Sequence, residues 1–84
     1  MIEVYGVDNC SWCNKSKQLL ESLGFEYVYK DLMIEENVTR FKKVFKNDNT
    51  IPQILWGFEK LRGYNQLSDR INKAIEEEKN NDAN

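Results

Sequence analysis

Apolar and polar positions follow two rhythms along this chain, and the switches between them mark its elements. Ile2-Glu3-Val4-Tyr5-Gly6-Val7 is β-branched and aromatic and reads as a strand, with Asp8 and Asn9 as turn and cap formers after it. From Ser11 to Leu23 the period lengthens to that of a helix. Trp12, Ser16, Leu19, Leu20 and Leu23 share one face, and Lys15, Lys17 and Glu21 lie mostly on the other. Gly24 suits a C-terminal cap. Phe25-Glu26-Tyr27-Val28-Tyr29-Lys30 reads as a second strand. A helix separates it from the first, which makes the two parallel neighbours joined by a right-handed crossover.

Asp31 to Ile34 is a loop, and Glu35 to Lys46 a second helix whose apolar face is Ile34, Val38, Phe41 and Phe45. Its first turn is acidic and its last basic, as the helix dipole favours. Asn47-Asp48-Asn49-Thr50 breaks the chain, and Ile51-Pro52 carries its only proline. Gln53 to Trp56 is a third strand. It turns through Gly57-Phe58-Glu59 into a short returning strand, Lys60-Leu61-Arg62. Gly63-Tyr64-Asn65 reads as a turn. Asn65 or Ser68 would cap a last helix that carries Leu67, Ile71, Ala74 and Ile75 on one face. Asn80 to Asn84 is polar and is expected to fray. The order βαβαββα predicts an α/β fold, a four-stranded mixed sheet with its three helices on both faces. Ligands of such sheets sit beyond the carboxyl ends of the parallel strands.

Composition narrows this picture. The chain has 84 residues, of which 40% are hydrophobic and 12% aromatic, enough for the modest core of one domain. A formal net charge of −2 gives no overall attraction to nucleic acid or to an anionic membrane surface. No apolar run approaches a membrane span, and the N-terminus lacks the charged-then-apolar design of a signal peptide. The reducing cytoplasm is therefore the expected compartment, and there a C-x-x-C pair is more often catalytic than structural. Asn14-Lys15-Ser16 and Asn37-Val38-Thr39 match the glycosylation pattern, but both fall on expected helices.

The chemistry concentrates at Cys10-Ser11-Trp12-Cys13, which holds both cysteines of the chain. A C-x-x-C where a strand runs into a helix, early in a βαβ pattern, is a thioredoxin-like redox signature. The first helical turn has backbone N–H groups without intrahelical partners, and the macrodipole adds partial positive charge there. A cap thiol at that point ionises more readily than a free one, and the thiolate is the nucleophile. Cys10 is the attacking thiol and Cys13, inside the first turn, the resolving one. Other uses compete less well. A structural zinc site wants four N or S ligands, and with no histidine the chain would need a dimer to supply them. A purely structural disulfide would close so short a loop that little entropic stabilisation results. Two unrelated buried thiols remain an alternative.

Three stretches together resemble the glutaredoxin family: Cys10-Ser11-Trp12-Cys13, then Thr50-Ile51-Pro52, then Arg62-Gly63-Tyr64-Asn65-Gln66-Leu67. The likeness runs from Ile2 to about Ile75, and the compact size looks like that of the short dithiol glutaredoxins of bacteria and phages. It implies a thioredoxin-like fold and a glutathione-dependent thiol–disulfide oxidoreductase acting through Cys10 and Cys13. Pro52 would be a cis-proline facing the disulfide. The backbone of Ile51 would pair with the cysteinyl part of glutathione, like an added strand. Asn65 and Gln66 would hold the γ-glutamyl end at the last helix N-terminus. Trp12, Thr50, Gly63 and Tyr64 complete the implied glutathione contacts.

The chain departs from the family pattern at several positions. Ser11 replaces a frequent proline, Trp12 a tyrosine, Arg62 the first of two glycines and Asn65 an aspartate. Val7 replaces a lysine that helps bind the glycine carboxylate of glutathione, a charge that Arg40 or Lys43 would supply instead. The resemblance implies glutathione as co-substrate, no tightly bound cofactor, no metal ligand, a monomer, and disulfide-bearing protein substrates such as ribonucleotide reductase. Two alternatives stand beside it: a thioredoxin-type protein disulfide reductase, and a glutaredoxin that holds a [2Fe–2S] cluster between two subunits.

Overall fold

The computed structural model describes residues 1–82, with side chains through Lys79. Its elements are β1 (Ile2–Gly6), α1 (Ser11–Ser22), β2 (Val28–Asp31), α2 (Glu35–Phe45), β3 (Gln53–Trp56), β4 (Glu59–Arg62) and α3 (Gly63–Asp82). The sheet runs β2-β1-β3-β4. β1 pairs in parallel with β2, with Val4 opposite Tyr29. It pairs antiparallel with β3, with Val4 opposite Ile54 and Tyr5 opposite Gln53. β3 and β4 form the expected hairpin, with Ile54 opposite Leu61.

Period-two alternation in the central strands divides the core. Ile2, Val4, Ile54 and Leu61 face Leu20 of α1 and Leu67 and Ile71 of α3. On the opposite face Tyr5 packs with Phe41 and Phe45 of α2, with Leu32, Val44, Ile51 and Leu55 around them. Glu3 shares that second face by register, and there it meets Arg40 of α2 at 3.1 Å. Covering both faces leaves the carboxyl end of β1 as an open rim, where the chain turns into α1.

Several boundaries differ from the sequence reading, each for a local reason. The second strand starts at Val28 rather than Phe25 because α1 ends in a Schellman motif. Gly24, at φ +77, donates its N–H to the Glu21 carbonyl, and the Phe25 N–H goes to Leu20 at 2.9 Å. Phe25 is thereby withdrawn from the ladder, and its ring packs on Trp56 instead, at a centroid distance of 5.4 Å. α2 stops at Phe45, since Lys46 takes φ +52. Ile34, expected on the apolar face of α2, is its exposed N-cap.

The buried face of α1 is Cys13, Ser16 and Leu20, whereas Trp12 and Leu23 are about half exposed. Ser16 is satisfied there by donating its hydroxyl to the Trp12 carbonyl at 2.8 Å. The expected turn at Gly63-Tyr64-Asn65 is already the first turn of α3, so neither Asn65 nor Ser68 is its cap. Instead the Gln66 side chain accepts the Arg62 N–H at 2.8 Å. At the other end α3 continues through Asp82, past the expected fraying point at Asn80. Residues 83–84 lie outside the described residues.

Candidate active site

β1 delivers the chain to the rim, and a turn carries it into α1. The Cys10 N–H donates to Val7 at 3.3 Å, and the Asn14 side chain donates to the Asp8 carbonyl at 3.0 Å. Cys10 is the N-cap of α1 in extended conformation, and its Sγ accepts the Cys13 N–H at 3.2 Å. A backbone donor of the first turn thus points at the Cys10 sulfur, the arrangement that favours a thiolate there. No acidic residue occupies that turn to oppose it. Cys10 and Cys13 are joined as a disulfide, with Cα atoms 5.2 Å apart. Cys10 is half-buried and Cys13 wholly buried, so an incoming thiol meets Cys10 first.

A cleft of about 260 Å³ opens at this rim, lined by Trp12, Ile51, Pro52, Arg62, Gly63, Tyr64 and Asn65. Three separate stretches meet in it. The Ile51–Pro52 bond is cis, and the Pro52 carbonyl accepts the Gly63 N–H at 3.0 Å, tying the proline loop to the start of α3. Gly63 has φ +86, a conformation that suits glycine. The rings of Trp12 and Tyr64 lie 5.4 Å apart across the cleft, and the Lys15 ammonium sits 4.3 Å from the Trp12 ring centroid. Among the described residues the backbone of Ile51 has no backbone hydrogen-bond partner, so it is available to an extended ligand.

Of the residues the resemblance named, Trp12, Ile51, Pro52, Gly63, Tyr64 and Asn65 line this cleft. Thr50 and Gln66 act behind the lining rather than in it. Thr50 accepts from Arg62 Nε at 3.1 Å, and Gln66 holds the Arg62 N–H. Arg40 is not brought to the cleft, because its guanidinium is occupied by both Glu3 oxygens, at 3.1 and 3.2 Å. Lys43 does not line the cleft either.

The residue the sequence reading passed over is Arg62, noted only where a glycine was expected. Its Nε lies 2.8 Å from Asp48 Oδ2, which aims an otherwise exposed guanidinium along the cleft wall. Asp48 is well suited to anchor it, since hydrogen bonds from the Thr50 hydroxyl and N–H hold its carboxyl below the usual range. The available signal was position: Arg62 directly precedes Gly63-Tyr64 in the third motif.

The glutaredoxin family model matches residues 2–58. The chain belongs to the glutaredoxin family. The match spans the cysteine pair and the Thr50-Ile51-Pro52 stretch, while Arg62 to Leu67 lies beyond it and joins the site through the fold. Among solved structures, glutaredoxin 1 from Francisella tularensis, complexed with cacodylate, superposes with a TM-score of 0.72 at 18% identity, covering 89% of this chain and 95% of that one. NrdH-redoxin from Escherichia coli, a glutaredoxin-like protein described by its thioredoxin-like activity profile, gives 0.69 at 19% identity over 86% and 91% of the two chains. A buckwheat glutaredoxin–glutathione complex gives 0.70 at 18%, over 87% and 69%. At these identities the likeness establishes the thioredoxin-like fold. No curated protein sequence matches the chain. Among the described residues no group of three or more His, Cys, Asp or Glu side chains could hold a metal ion, and no helix is long and apolar enough to cross a membrane.

Proposed function

We propose that this glutaredoxin-family chain is a dithiol enzyme that reduces glutathione mixed disulfides and protein disulfides at the expense of glutathione. The observation that carries the reading is the cleft walled by Trp12 of the C-x-x-C turn, by the unpaired backbone of Ile51, by cis-Pro52 and by the first turn of α3. These supply what a short anionic thiol peptide needs: a strand edge, backbone N–H groups at a helix start, and a guanidinium in Arg62.

The chemistry is thiol–disulfide exchange. The Cys10 thiolate attacks the glutathione sulfur of a mixed disulfide, the substrate leaves as a thiolate, and Cys10 becomes glutathionylated. A second glutathione thiolate then attacks that glutathione sulfur, which releases Cys10 and forms oxidised glutathione. Alternatively the Cys13 thiolate attacks Cys10 Sγ, which expels glutathione and closes the internal disulfide. For a protein disulfide Cys10 makes the mixed disulfide and Cys13 resolves it. Proposed substrates are disulfide-bearing proteins of the cytoplasm, ribonucleotide reductase among them, and the proposed working form is a monomer.

A thioredoxin-type reading has support of its own. Arg62 stands in the cleft wall where the family carries glycine, Val7 replaces a lysine, and the E. coli NrdH-redoxin shares the fold. The decisive experiment reduces the Cys10–Cys13 disulfide with glutathione alone and, separately, with a thioredoxin reductase. Turnover with glutathione is expected, and turnover only with the reductase would overturn the proposal. The [2Fe–2S] alternative requires the Cys10 sulfur that Cys13 stands ready to claim. Protein purified without oxygen in the presence of iron and glutathione is therefore expected to be colourless and monomeric, whereas a brown dimer would favour the cluster.

A further inference from the structure

The resolving sulfur poses a problem that the cleft does not solve. When glutathione opens the disulfide, its thiolate attacks Cys10 Sγ, the Cys10–Cys13 bond breaks, and the electron pair departs on Cys13. That sulfur is wholly buried. An anion in such a place is costly unless a donor faces it. The backbone N–H of Cys13 itself is directed to Cys10.

One group nearby is unassigned. Tyr29 on β2 stands opposite Val4 and so shares the face covered by α1. Its ring carries the Lys17 ammonium 4.0 Å from the centroid, and Lys17 lies one helical turn beyond Cys13. Its hydroxyl oxygen is buried and has no hydrogen-bond partner, an uncommon state for a phenol. Its location is fixed by Gly6: a Cβ added there would lie 3.2 Å from the Tyr29 hydroxyl and 2.5 Å from Cys13 Sγ. Phenol and resolving sulfur therefore flank the same point of the β1 backbone.

We propose that the Tyr29 hydroxyl donates a hydrogen bond to Cys13 Sγ once the disulfide is open, stabilising it as leaving group and returning nucleophile. In the disulfide Cys13 Sγ carries no charge to draw the hydroxyl, and the hydroxyl has no partner in that state. On opening, the sulfur gains charge and the hydroxyl turns onto it. No proton leaves Tyr29 in this step, and the proton that later neutralises Cys13 comes from solvent. The charged groups around the phenol keep it a donor. Burial first, and then the carboxylates of Asp8 and Asp31, push its ionisation upward, while Lys17 covers the ring face. The inference rests on the dithiol reading above, because only a Cys13 that leaves and returns needs this donor.

The test is the titration of each cysteine alone, followed by thiolate absorbance. In the Cys10→Ser protein, Tyr29→Phe is expected to raise the Cys13 midpoint by about one pH unit, a tenfold loss of thiolate, as expected for a lost hydrogen bond to a charged group. In the Cys13→Ser protein the same replacement is expected to leave the Cys10 midpoint in place. Glutathione is expected to open the disulfide of Tyr29→Phe about tenfold more slowly. With Tyr29 intact, its ring resonances in Cys10→Ser are expected to titrate together with Cys13. A Cys13 midpoint indifferent to Tyr29→Phe, equal shifts at both cysteines, or Tyr29 resonances blind to Cys13 would each overturn the proposal. The titrations involve no glutathione, so a failure of the glutathione reading and a failure of this inference register in different measurements.

Discussion

Gly6 and Cys13 are in direct contact across the β1–α1 junction. A Cβ on Gly6 would stand 2.5 Å from Cys13 Sγ and 2.9 Å from Cys13 Cβ, closer than packed atoms tolerate. Glycine is required here for close approach, since Gly6 is not among the glycines with positive φ. Gly6→Ala is therefore expected to push α1 away from β1, at a cost of about 1–3 kcal/mol as for other overpacked cores. It is also expected to slow closure of the disulfide. Urea denaturation and the rate of disulfide formation from the reduced protein measure the two effects. An unchanged midpoint would mean that α1 yields without cost.

The two cysteines are expected to be unequal. Cys10→Ser should abolish every thiol–disulfide activity, because the half-buried, capped sulfur is the one an incoming substrate reaches. Cys13→Ser should retain deglutathionylation, in which glutathione resolves the intermediate, and should lose most reduction of protein disulfides. Glutathione-coupled turnover of a small mixed disulfide, run beside a protein-disulfide assay, separates the routes. Equal loss in both variants in the first assay would move the assignment to the thioredoxin-type reading.

Arg62 should act on binding. Its Nε is held by Asp48 and Thr50, so its remaining N–H groups are presented at the cleft wall. Arg62→Gln is expected to raise KM for a glutathione mixed disulfide several-fold, with kcat nearly unchanged, because the partners of Arg62 are Asp48, Thr50 and Gln66 and neither cysteine is among them. The contact is exposed to solvent, so the difference from the unaltered protein should shrink as salt rises. A fall in kcat with KM unchanged would remove Arg62 from the binding role.

The group of Tyr5, Glu3 and Arg40 on the α2 face sets a pH window. Burial, and then donation to the Glu3 carboxylate, pushes Tyr5 up to about 12 from an ordinary 10.0. A raised acid favours its neutral form in the fold. Its contribution is therefore complete below pH 10.0 and is lost as pH climbs toward about 12. For Glu3 burial works upward, but the hydrogen bonds from Arg40 and Tyr5 outweigh it and the carboxyl ends below 4.5. That contribution is present above 4.5 and fades as the solution becomes more acidic. Chemical denaturation across pH is expected to show a flatter alkaline limb in Tyr5→Phe and a weaker acid limb in Arg40→Gln. Arg40 is half exposed, which limits its loss to no more than about 1 kcal/mol.

The sequence by itself determined the order of elements and the place of the chemistry. Both rest on near-neighbour physics: the β-branched and aromatic run from Ile2 to Val7, the helical period after Ser11, and a C-x-x-C where strand becomes helix. It erred where a local interaction competed with a pattern. Phe25 looks like a strand residue, but its N–H closes the end of α1. Arg40 looked like a free cation for the site, but register puts it beside Glu3, residues 37 apart in sequence.

The tertiary structure alone decided the cleft and its neighbours. Pro52 reaches Gly63 only because β3 and β4 pair as they do. Trp12 faces Tyr64 only because α1 and α3 lie on the same side of the sheet. Tyr29 comes beside Cys13 only because β2 adds to β1 with Val4 opposite Tyr29. Strand register and layer choice are settled by burial summed over the whole sheet, and a slip of one residue in β2 would turn Tyr29 to the other face.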